Sequence, residues 1–216
     1  MTPPLRTANL SRISWLDHGF GTRLSAGWPP LDRLALLKQS HSPTVRRASE
    51  MGILGEGDAL ISDTPGLLVG VKTADCVPIL LADTSNRVVA AVHAGWKGSA
   101  KSIVIAALDR MSSAFGAQPA DVVVGIGPCI GACCYEVGQD VAAEFRKWHP
   151  NLPSEGKVRL DLVKVNIQQL RDAGVERSNI EAIDRCTYCG GYDLESFRRD
   201  GEIAGRMISA IGIIKT

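Results

Sequence analysis

Apolar residues come in short runs through the first half of the chain. The runs cover residues 59–61, 67–71, 77–81 and 88–92, and clusters of Asp, Thr, Pro, Gly, Ser and Asn separate several of them. Apolar runs of this length between turn residues predict buried β-strands. Pro78 lies inside the third run, which predicts either an edge strand or the start of a strand.

From Gly98 onward the spacing of apolar residues becomes helical. Ile103, Ala107 and Met111 recur on one face, and Gly116 marks the end of the predicted helix. Comparable patterns predict helices over 32–38, 137–148 and 164–172, and further strands over 121–126, 180–183 and 207–214.

These elements predict an α/β (α+β) fold in which mixed β-sheets are layered with helices. No internal repeat, low-complexity segment or linker divides residues 1–216, so we expect a single domain. Most of the first forty residues follow no regular period, and we expect an irregular segment there.

The amino-acid composition argues against several classes of partner. Lys and Arg total 24 against 23 Asp and Glu, and this balance argues against a nucleic-acid partner. No apolar stretch is long enough to cross a bilayer, and no apolar run of the kind found in secretory signals follows Met1. We therefore expect a cytoplasmic protein without a membrane partner, in which cysteines stay reduced. The oligomeric state is left open.

Three residues follow or end apolar runs and are flanked by glycine or proline: His41, Cys76 and His93. Two imidazoles and a thiolate form a three-ligand zinc site with a fourth position open for water or substrate. Such a zinc lowers the pKa of its water to about 7, which supplies hydroxide at neutral pH. Asp75, next to Cys76, is a candidate to orient a ligand or move a proton. The alternative is that the histidines are structural and the cysteine is inert packing.

The remaining five cysteines leave two interpretations open. The preferred one is reduced thiols packed around the glycine-rich turn at residues 127–131. The other is a second metal site with four thiolates, because residues 186–189 form a Cys-x-x-Cys. The five are Cys129, Cys133, Cys134, Cys186 and Cys189.

Several blocks together resemble one known family. Residues 73–81 (Thr-Ala-Asp-Cys-Val-Pro-Ile-Leu-Leu) and 93–98 (His-Ala-Gly-Trp-Lys-Gly) are similar to the signature of the laccase-domain, or YfiH-type, family. This family is also called the multicopper polyphenol oxidase family and is now described as purine nucleoside phosphorylase. Further blocks in family order lie at 18–23, 125–131, 134–138, 186–187, 196–201 and 205–206.

The resemblance implies an αββα-like fold and one zinc bound by His41, Cys76 and His93. It implies phosphorolysis of adenosine, inosine, guanosine and methylthioadenosine, together with deamination of adenosine. The partners would be a small purine nucleoside and phosphate. Arg23, in the block at 18–23, is the candidate to grip phosphate, because a guanidinium binds it in bidentate fashion. Arg198 and Arg199 are weaker candidates that suit surface ion pairs equally well.

The chain departs from the family pattern at three places. Ser42 stands where the family has glycine beside His41, and Lys97 stands where arginine is commoner. The stretch between Arg23 and Gln39 lacks a strand-and-helix segment that the family carries, so residues 1–38 form a shortened N-terminal segment. A wall of the nucleoside site is expected to change if that segment contributes to it.

Other functions fit the same residues. In the first alternative, Cys76 is the nucleophile and His93 the base of an amide hydrolase that edits peptidoglycan precursors, as is linked to some relatives. In the second, the site binds copper and oxidises polyphenols, although multicopper oxidases need more than the four histidines present: His18, His41, His93 and His149. A third alternative is a binding or scaffold protein without activity.

Overall fold

The computed structural model describes residues 2–215 and builds them from two large β-sheets, one two-stranded sheet and a layer of helices. In chain order, strands β1 to β13 are Leu16–Phe20, Leu34–Lys38, Val45–Arg47, Gly52–Glu56, Ala59–Ser62, Leu68–Thr73, Val77–Asp83, Val88–Ala94, Val122–Ile126, Glu136–Val137, Val158–Arg159, Ile180–Ala182 and Met207–Ile213. Helices α1 to α6 are Ala8–Ser11, Trp96–Ala100, Ile103–Phe115, Gln139–Ala143, Leu162–Asp172 and Phe197–Asp200.

Both large sheets mix parallel and antiparallel pairs. The five-stranded sheet has the order β1-β13-β6-β2-β4, and the six-stranded sheet has the order β12-β9-β7-β8-β5-β3. At the centre of the larger sheet β7 and β8 pair antiparallel, so that Val77 faces Ala94 and Asp83 faces Val88. The predicted mixed α/β class is confirmed.

The strands at the centre are apolar on both faces because both faces are covered. Every residue of β7 is buried. Ile79 and Leu81 point to the helix side, whereas Leu80 and Ala82 point to the five-stranded sheet. This two-residue alternation places one core between the sheets and a second core under the helices.

Helices α3 and α5 form the layer over the six-stranded sheet. Val104, Leu108 and Met111 of α3 are buried against it, as the helical spacing predicts. The helix ends at Gly116, whose φ of +77° lies in the left-handed region that glycine tolerates. Helix α5 is capped by Asp161, whose carboxylate accepts a hydrogen bond of 2.9 Å from the backbone N–H of Lys164.

The outer face of the five-stranded sheet carries Leu34, Leu68 and Ala210. A small cluster covers it, in which Trp28 packs with Leu36 and Ile208. Helices, the six-stranded sheet and the five-stranded sheet are therefore layered in this order, with the small cluster on the outer face of the last.

Three of the predicted elements need correction. The helix over 32–38 is wrong, because a short 3₁₀ turn at Leu31–Arg33 leads into strand β2, whose apolar residues alternate between the two faces of their sheet. The helix over 137–148 shortens to Gln139–Ala143, since Val137 pairs with Val158 in the two-stranded sheet. The segment expected to be irregular contains β1, which pairs along its length with β13.

Pro78 does mark the start of a strand, but not an edge strand. It is the second residue of β7, which lies between β8 and β9. Its carbonyl oxygen still accepts a hydrogen bond, from the backbone N–H of Gly127 at 3.0 Å. In the part of the chain described, no helix combines the length and the apolar character needed to cross a membrane.

Candidate active site

Strand pairing brings Cys76 and His93 together. Cys76 immediately precedes β7, and His93 is the second-last residue of β8, which runs antiparallel to β7. The start of one strand therefore lies beside the end of the other. His93 is 4% exposed and Cys76 is half-buried, so the pair forms the base of the site.

His41 reaches the same point from the other sheet. It follows β2, and Gln39 holds this segment by exchanging two hydrogen bonds with the backbone of Lys72 in β6, at 2.7 and 2.8 Å. The φ of His41 is +59°, a conformation that non-glycine residues rarely adopt. The two sheets thus converge on one edge, where the exposed imidazole of His41 faces Cys76 and His93.

The three predicted ligands form a compact centre. The Sγ of Cys76 lies 3.8 Å from Nε2 of His41, and the two imidazole rings meet edge to face with centroids 4.9 Å apart. One ligand atom from each residue falls within 4.8 Å of the others. The structure therefore brings the three candidate ligands together, and their binding of a metal stays a prediction.

Asp58, which could not be predicted from the sequence, orders this centre from its buried side. It directly precedes β5 and is fully buried. Its carboxylate meets Nδ1 of His93 at 2.8 Å and accepts backbone N–H bonds from Ser40, His41 and Ser42 at 3.3, 3.0 and 2.6 Å. One carboxylate therefore fixes the ring of one histidine and the strained backbone of the other.

Ser42, which stands where the family has glycine, has a structural role at this site. Its hydroxyl donates a further hydrogen bond of 2.8 Å to Asp58. No sequence signal marks Asp58, because an Asp after a glycine at a strand start is the ordinary composition of a turn.

These contacts change the ionisation of the centre. Burial acts to raise the pKa of Cys76, but hydrogen bonds with His41 and His93 outweigh it and lower the pKa to about 7. Burial acts to lower the pKa of His93, but hydrogen bonds with Asp58 and Cys76 raise it to about 9. Although burial opposes ionisation of Asp58, its hydrogen bonds hold the pKa of that carboxyl well below its usual range.

The donor set fits a zinc ion. Tetrahedral zinc with ligand bonds of about 2.0–2.3 Å places a sulfur and a nitrogen ligand about 3.6 Å apart, close to the 3.8 Å between Cys76 and His41. Because Nδ1 of His93 is occupied by Asp58, its Nε2 is the atom left for a metal. At Gly95 a Cβ atom would lie 2.8 Å from the ring of His41 and 2.9 Å from the sulfur of Cys76. Glycine keeps this space open.

Asp75 lies beside the centre with a carboxylate that is already engaged. One oxygen accepts a hydrogen bond of 2.5 Å from the hydroxyl of Thr187, and the other accepts one of 2.7 Å from the backbone N–H of Arg198. Its φ of +91° is also left-handed. These contacts make Asp75 a link between the centre and the two C-terminal loops around it.

The centre opens into a cavity of about 650 Å³. Aromatic and aliphatic side chains form part of its wall, including Trp96, Tyr135 and Phe197. The cationic side chains on the wall are Lys38, Lys72, Arg198 and Arg206. Cavities of this size with apolar walls and a few charged groups are typical of small-molecule sites.

Arg23 and Arg199 lie outside this wall. The guanidinium of Arg23 pairs with Glu195 at 2.8 Å and with Asp200 at 2.5 Å, and Arg199 pairs with Asp200 at 2.8 Å. The structure thus does not bring Arg23 to the His–Cys–His centre, and its contact with phosphate stays a prediction. Arg198 is the one of the three candidates that reaches the cavity.

Two of the four histidines stand apart from the centre. His18 is buried in β1 with its ring edge-on to Phe20, and His149 follows helix α4 outside the cavity wall. Across residues 2–215 only one of the groups able to hold a metal contains histidine. A multicopper arrangement therefore lacks its ligands in this part of the chain.

The fold and the site define a two-sheet α/β protein with a His–Cys–His centre at the base of a small-molecule cavity. The family model described as Multi-copper polyphenol oxidoreductase laccase matches residues 22–214. The chain belongs to this laccase-domain family, as the sequence blocks indicated.

Relatives and solved structures agree with this assignment. The chain is 42% identical over 189 residues to a purine nucleoside phosphorylase from Clostridium acetobutylicum. The alignment covers 85% of this chain and 78% of that protein. It is 35% identical to an adenosine deaminase from an unknown prokaryotic organism, over 84% of this chain and 75% of that protein. The crystal structure of YlmD from Geobacillus stearothermophilus superimposes with a TM-score of 0.87 at 28% identity, covering 99% and 97% of the two chains.

Proposed function

We propose that this chain is a zinc-dependent purine nucleoside phosphorylase that acts on adenosine, inosine, guanosine and methylthioadenosine and also deaminates adenosine. The observation that carries the proposal is the centre of His41, Cys76 and His93 at the base of a cavity, in a chain similar to enzymes with these two names. We place the enzyme in the cytoplasm, where the six cysteines would stay reduced and able to bind metal.

The cavity suits a nucleoside in size and chemistry. Its volume of about 650 Å³ holds a molecule of this size, and a flat purine stacks on aromatic side chains such as Trp96, Tyr135 and Phe197. The base would therefore stack against the apolar wall, within reach of the centre at the base of the cavity.

Phosphate would bind to the cationic part of the wall. The guanidinium of Arg198 lies 5.4 Å from the ring centre of Tyr135 and donates a hydrogen bond of 3.1 Å to the carbonyl of Glu136. Held in this way, it has further N–H groups to offer to a phosphate oxygen. Arg206 and Lys72 add positive charge to the same cavity.

His41, Cys76 and His93 would hold the zinc, which when bound would supply Lewis-acid polarisation of a substrate oxygen or nitrogen. Asp58 keeps Nδ1 of His93 engaged, so that this ring presents Nε2 to the cavity side. Asp75 holds Thr187 and the start of helix α6, and thereby fixes the wall that carries Arg198. The proposed role of Asp75 in proton movement adds to this positioning role.

The test incubates the purified protein with inosine or adenosine, with and without phosphate, and separates the products by chromatography. We expect phosphate-dependent release of hypoxanthine or adenine, and phosphate-independent conversion of adenosine to inosine. His41→Ala, Cys76→Ala and His93→Ala should each abolish both reactions, whereas His149→Ala, a histidine outside the cavity, should keep them. Equal product from the triad variants and the wild type contradicts the proposal.

A second candidate function has its own observation. Cys76, His93 and Asp58 supply a thiol, an imidazole and a buried carboxylate, with 2.8 Å between the last two and the thiol sulfur within 4.8 Å of the imidazole. This is the arrangement of a Cys–His–Asp hydrolase, here one that would cleave an amide of a peptidoglycan precursor. Iodoacetamide labelling before and after chelation separates the two: a ligand cysteine reacts only after metal removal. Amide cleavage by the metal-free protein would support the hydrolase.

A further inference from the structure

Two loops carrying four cysteines lie side by side at one edge of the six-stranded sheet. The first follows β9 and contains Cys133 and Cys134, and the second follows β12 and contains Cys186 and Cys189. Strands β9 and β12 pair in parallel, so their carboxyl ends meet at the same edge. Topology, not sequence proximity, therefore brings the two pairs of thiols together.

The four sulfur atoms form a compact group. All lie within 4.8 Å of one another, and the sulfurs of Cys133 and Cys189 are 3.7 Å apart. A tetrahedral zinc with Zn–S bonds of about 2.3 Å sets its sulfur ligands about 3.8 Å apart. The observed spacing is that of an edge of such a tetrahedron, and it is far longer than a disulfide bond of about 2.05 Å.

The backbone of both loops is shaped around the sulfurs. The N–H of Gly131 donates to the sulfur of Cys186 at 3.3 Å, and Cys134 closes a turn on the carbonyl of Gly131 at 2.9 Å. In the second loop the N–H of Gly190 donates to the carbonyl of Cys186 at 2.7 Å, and a Cβ at Gly190 would collide with that carbonyl oxygen. An N–H bond to sulfur favours thiolate, the form that binds metal.

Cys129 differs from the other four. It is 4% exposed and packs in the core under the helices, outside the group of sulfurs. The five cysteines left undecided by the sequence thus divide into one packing residue and four clustered thiols.

We propose that Cys133, Cys134, Cys186 and Cys189 bind one zinc ion in a closed, structural site separate from the His–Cys–His centre. Binding forms four Zn–S bonds and releases the four thiol protons to solvent, with no redox change. Four thiolates fill the tetrahedron and leave no position for substrate, which is the pattern of structural zinc.

The site would act on the cavity through the neighbours of its ligands. Tyr135 follows Cys134 and lines the cavity. Thr187 follows Cys186 and donates to Asp75. A zinc ion would clamp the two loops and so hold both residues in place. This role goes beyond the proposed function and does not depend on which reaction the cavity performs.

The test measures metal content and cobalt spectra of protein purified under reducing, chelator-free conditions. We expect two zinc ions per chain in the wild type, and one in the double variant His41→Ala/Cys76→Ser. We also expect one in the double variant Cys186→Ser/Cys189→Ser. With cobalt in place of zinc, the variant of the first centre should keep strong thiolate-to-cobalt charge-transfer bands, and the cluster variant should lose most of them.

Two further variants control for loss of zinc through misfolding. Cys189→His keeps a Cys₃His set and should retain the second zinc with weaker charge-transfer bands. Cys129→Ala should change neither the metal content nor the spectra. The proposal is overturned if no zinc depends on the cluster, if iron occupies it, or if non-reducing peptide mapping of protein purified without reductant shows a disulfide between Cys133 and Cys189. Metal content and cobalt spectra are measured separately from the nucleoside reaction. If that reaction fails, these measurements still show whether the four cysteines bind zinc.

Discussion

Replacing Asp58 with asparagine tests how the site is held together. The carboxylate accepts hydrogen bonds from Nδ1 of His93, from the hydroxyl of Ser42 and from three backbone N–H groups. Asparagine keeps the shape but offers one acceptor oxygen, and its NH₂ group then faces N–H or O–H donors. The charge that holds His93 is also lost.

The size of the effect follows from these contacts. Hydrogen bonds to charged groups contribute about 1.5–3 kcal/mol each, and at least one of the five is lost outright, so we expect Asp58→Asn to lower the free energy of unfolding by about 2–4 kcal/mol. Loss of the partner of a metal-binding histidine typically weakens metal affinity about 10–100-fold, or about 1.4–2.7 kcal/mol.

Competition with a chromophoric chelator measures zinc affinity, and urea unfolding measures stability. Asp63→Asn is the matched control, because Asp63 directly follows the strand that Asp58 precedes and forms an exposed ion pair with Arg47. That variant should change stability by about 0.5 kcal/mol or less and leave zinc affinity unchanged. Wild-type zinc affinity in a folded Asp58→Asn protein would refute the positioning role of this carboxylate.

The remaining predictions concern three other parts of the molecule. Burial in β1, followed by the charge of Arg6, lowers the pKa of His18 to about 4 from its ordinary value near 6.5, so the folded state resists protonation. Stability from this group is complete above pH 6.5 and is lost as the pH falls toward 4. The loss between pH 7 and pH 5 is about 2 kcal/mol, and urea titrations of wild type and His18→Met should differ by that amount in their pH dependence. Gly95→Ala places a methyl group against two proposed ligands and should reduce zinc content of the folded protein below half, a result that unchanged metal analysis would contradict. Arg198→Ala should raise the KM for phosphate at least tenfold, whereas Arg23→Ala, which breaks ion pairs outside the cavity, should chiefly lower thermal stability; the reverse pattern in steady-state kinetics would restore Arg23 as the phosphate ligand.

The sequence could predict the strands that consist of continuous apolar runs. Strands β7, β8 and β9 are covered on both faces, so their sequences are apolar except for Asp83 and His93 near the strand ends. Strand β2 was mistaken for a helix because a four-residue apolar run has no period that separates the two structures. Which face of the five-stranded sheet each residue of β2 covers depends on packing against strands that are distant in sequence.

The sequence could predict the three candidate ligands of the site, but not the residues that support them. His41, Cys76 and His93 stand at strand ends with local glycine and proline signals, and family blocks surround them. Asp58 is found only through the pairing of β5 with β8, which sets it beside His93. The four clustered cysteines likewise meet only because β9 and β12 are parallel neighbours.

The proposed zinc chemistry is tested most directly by phosphate-dependent release of hypoxanthine from inosine across a zinc titration. Protein stripped of metal by a chelator should release no base, and activity should return as added zinc fills the centre of His41, Cys76 and His93. In the Cys76→Ser variant the same titration should restore almost no activity. Full activity of the metal-free wild type, or equal recovery in Cys76→Ser, would contradict the account.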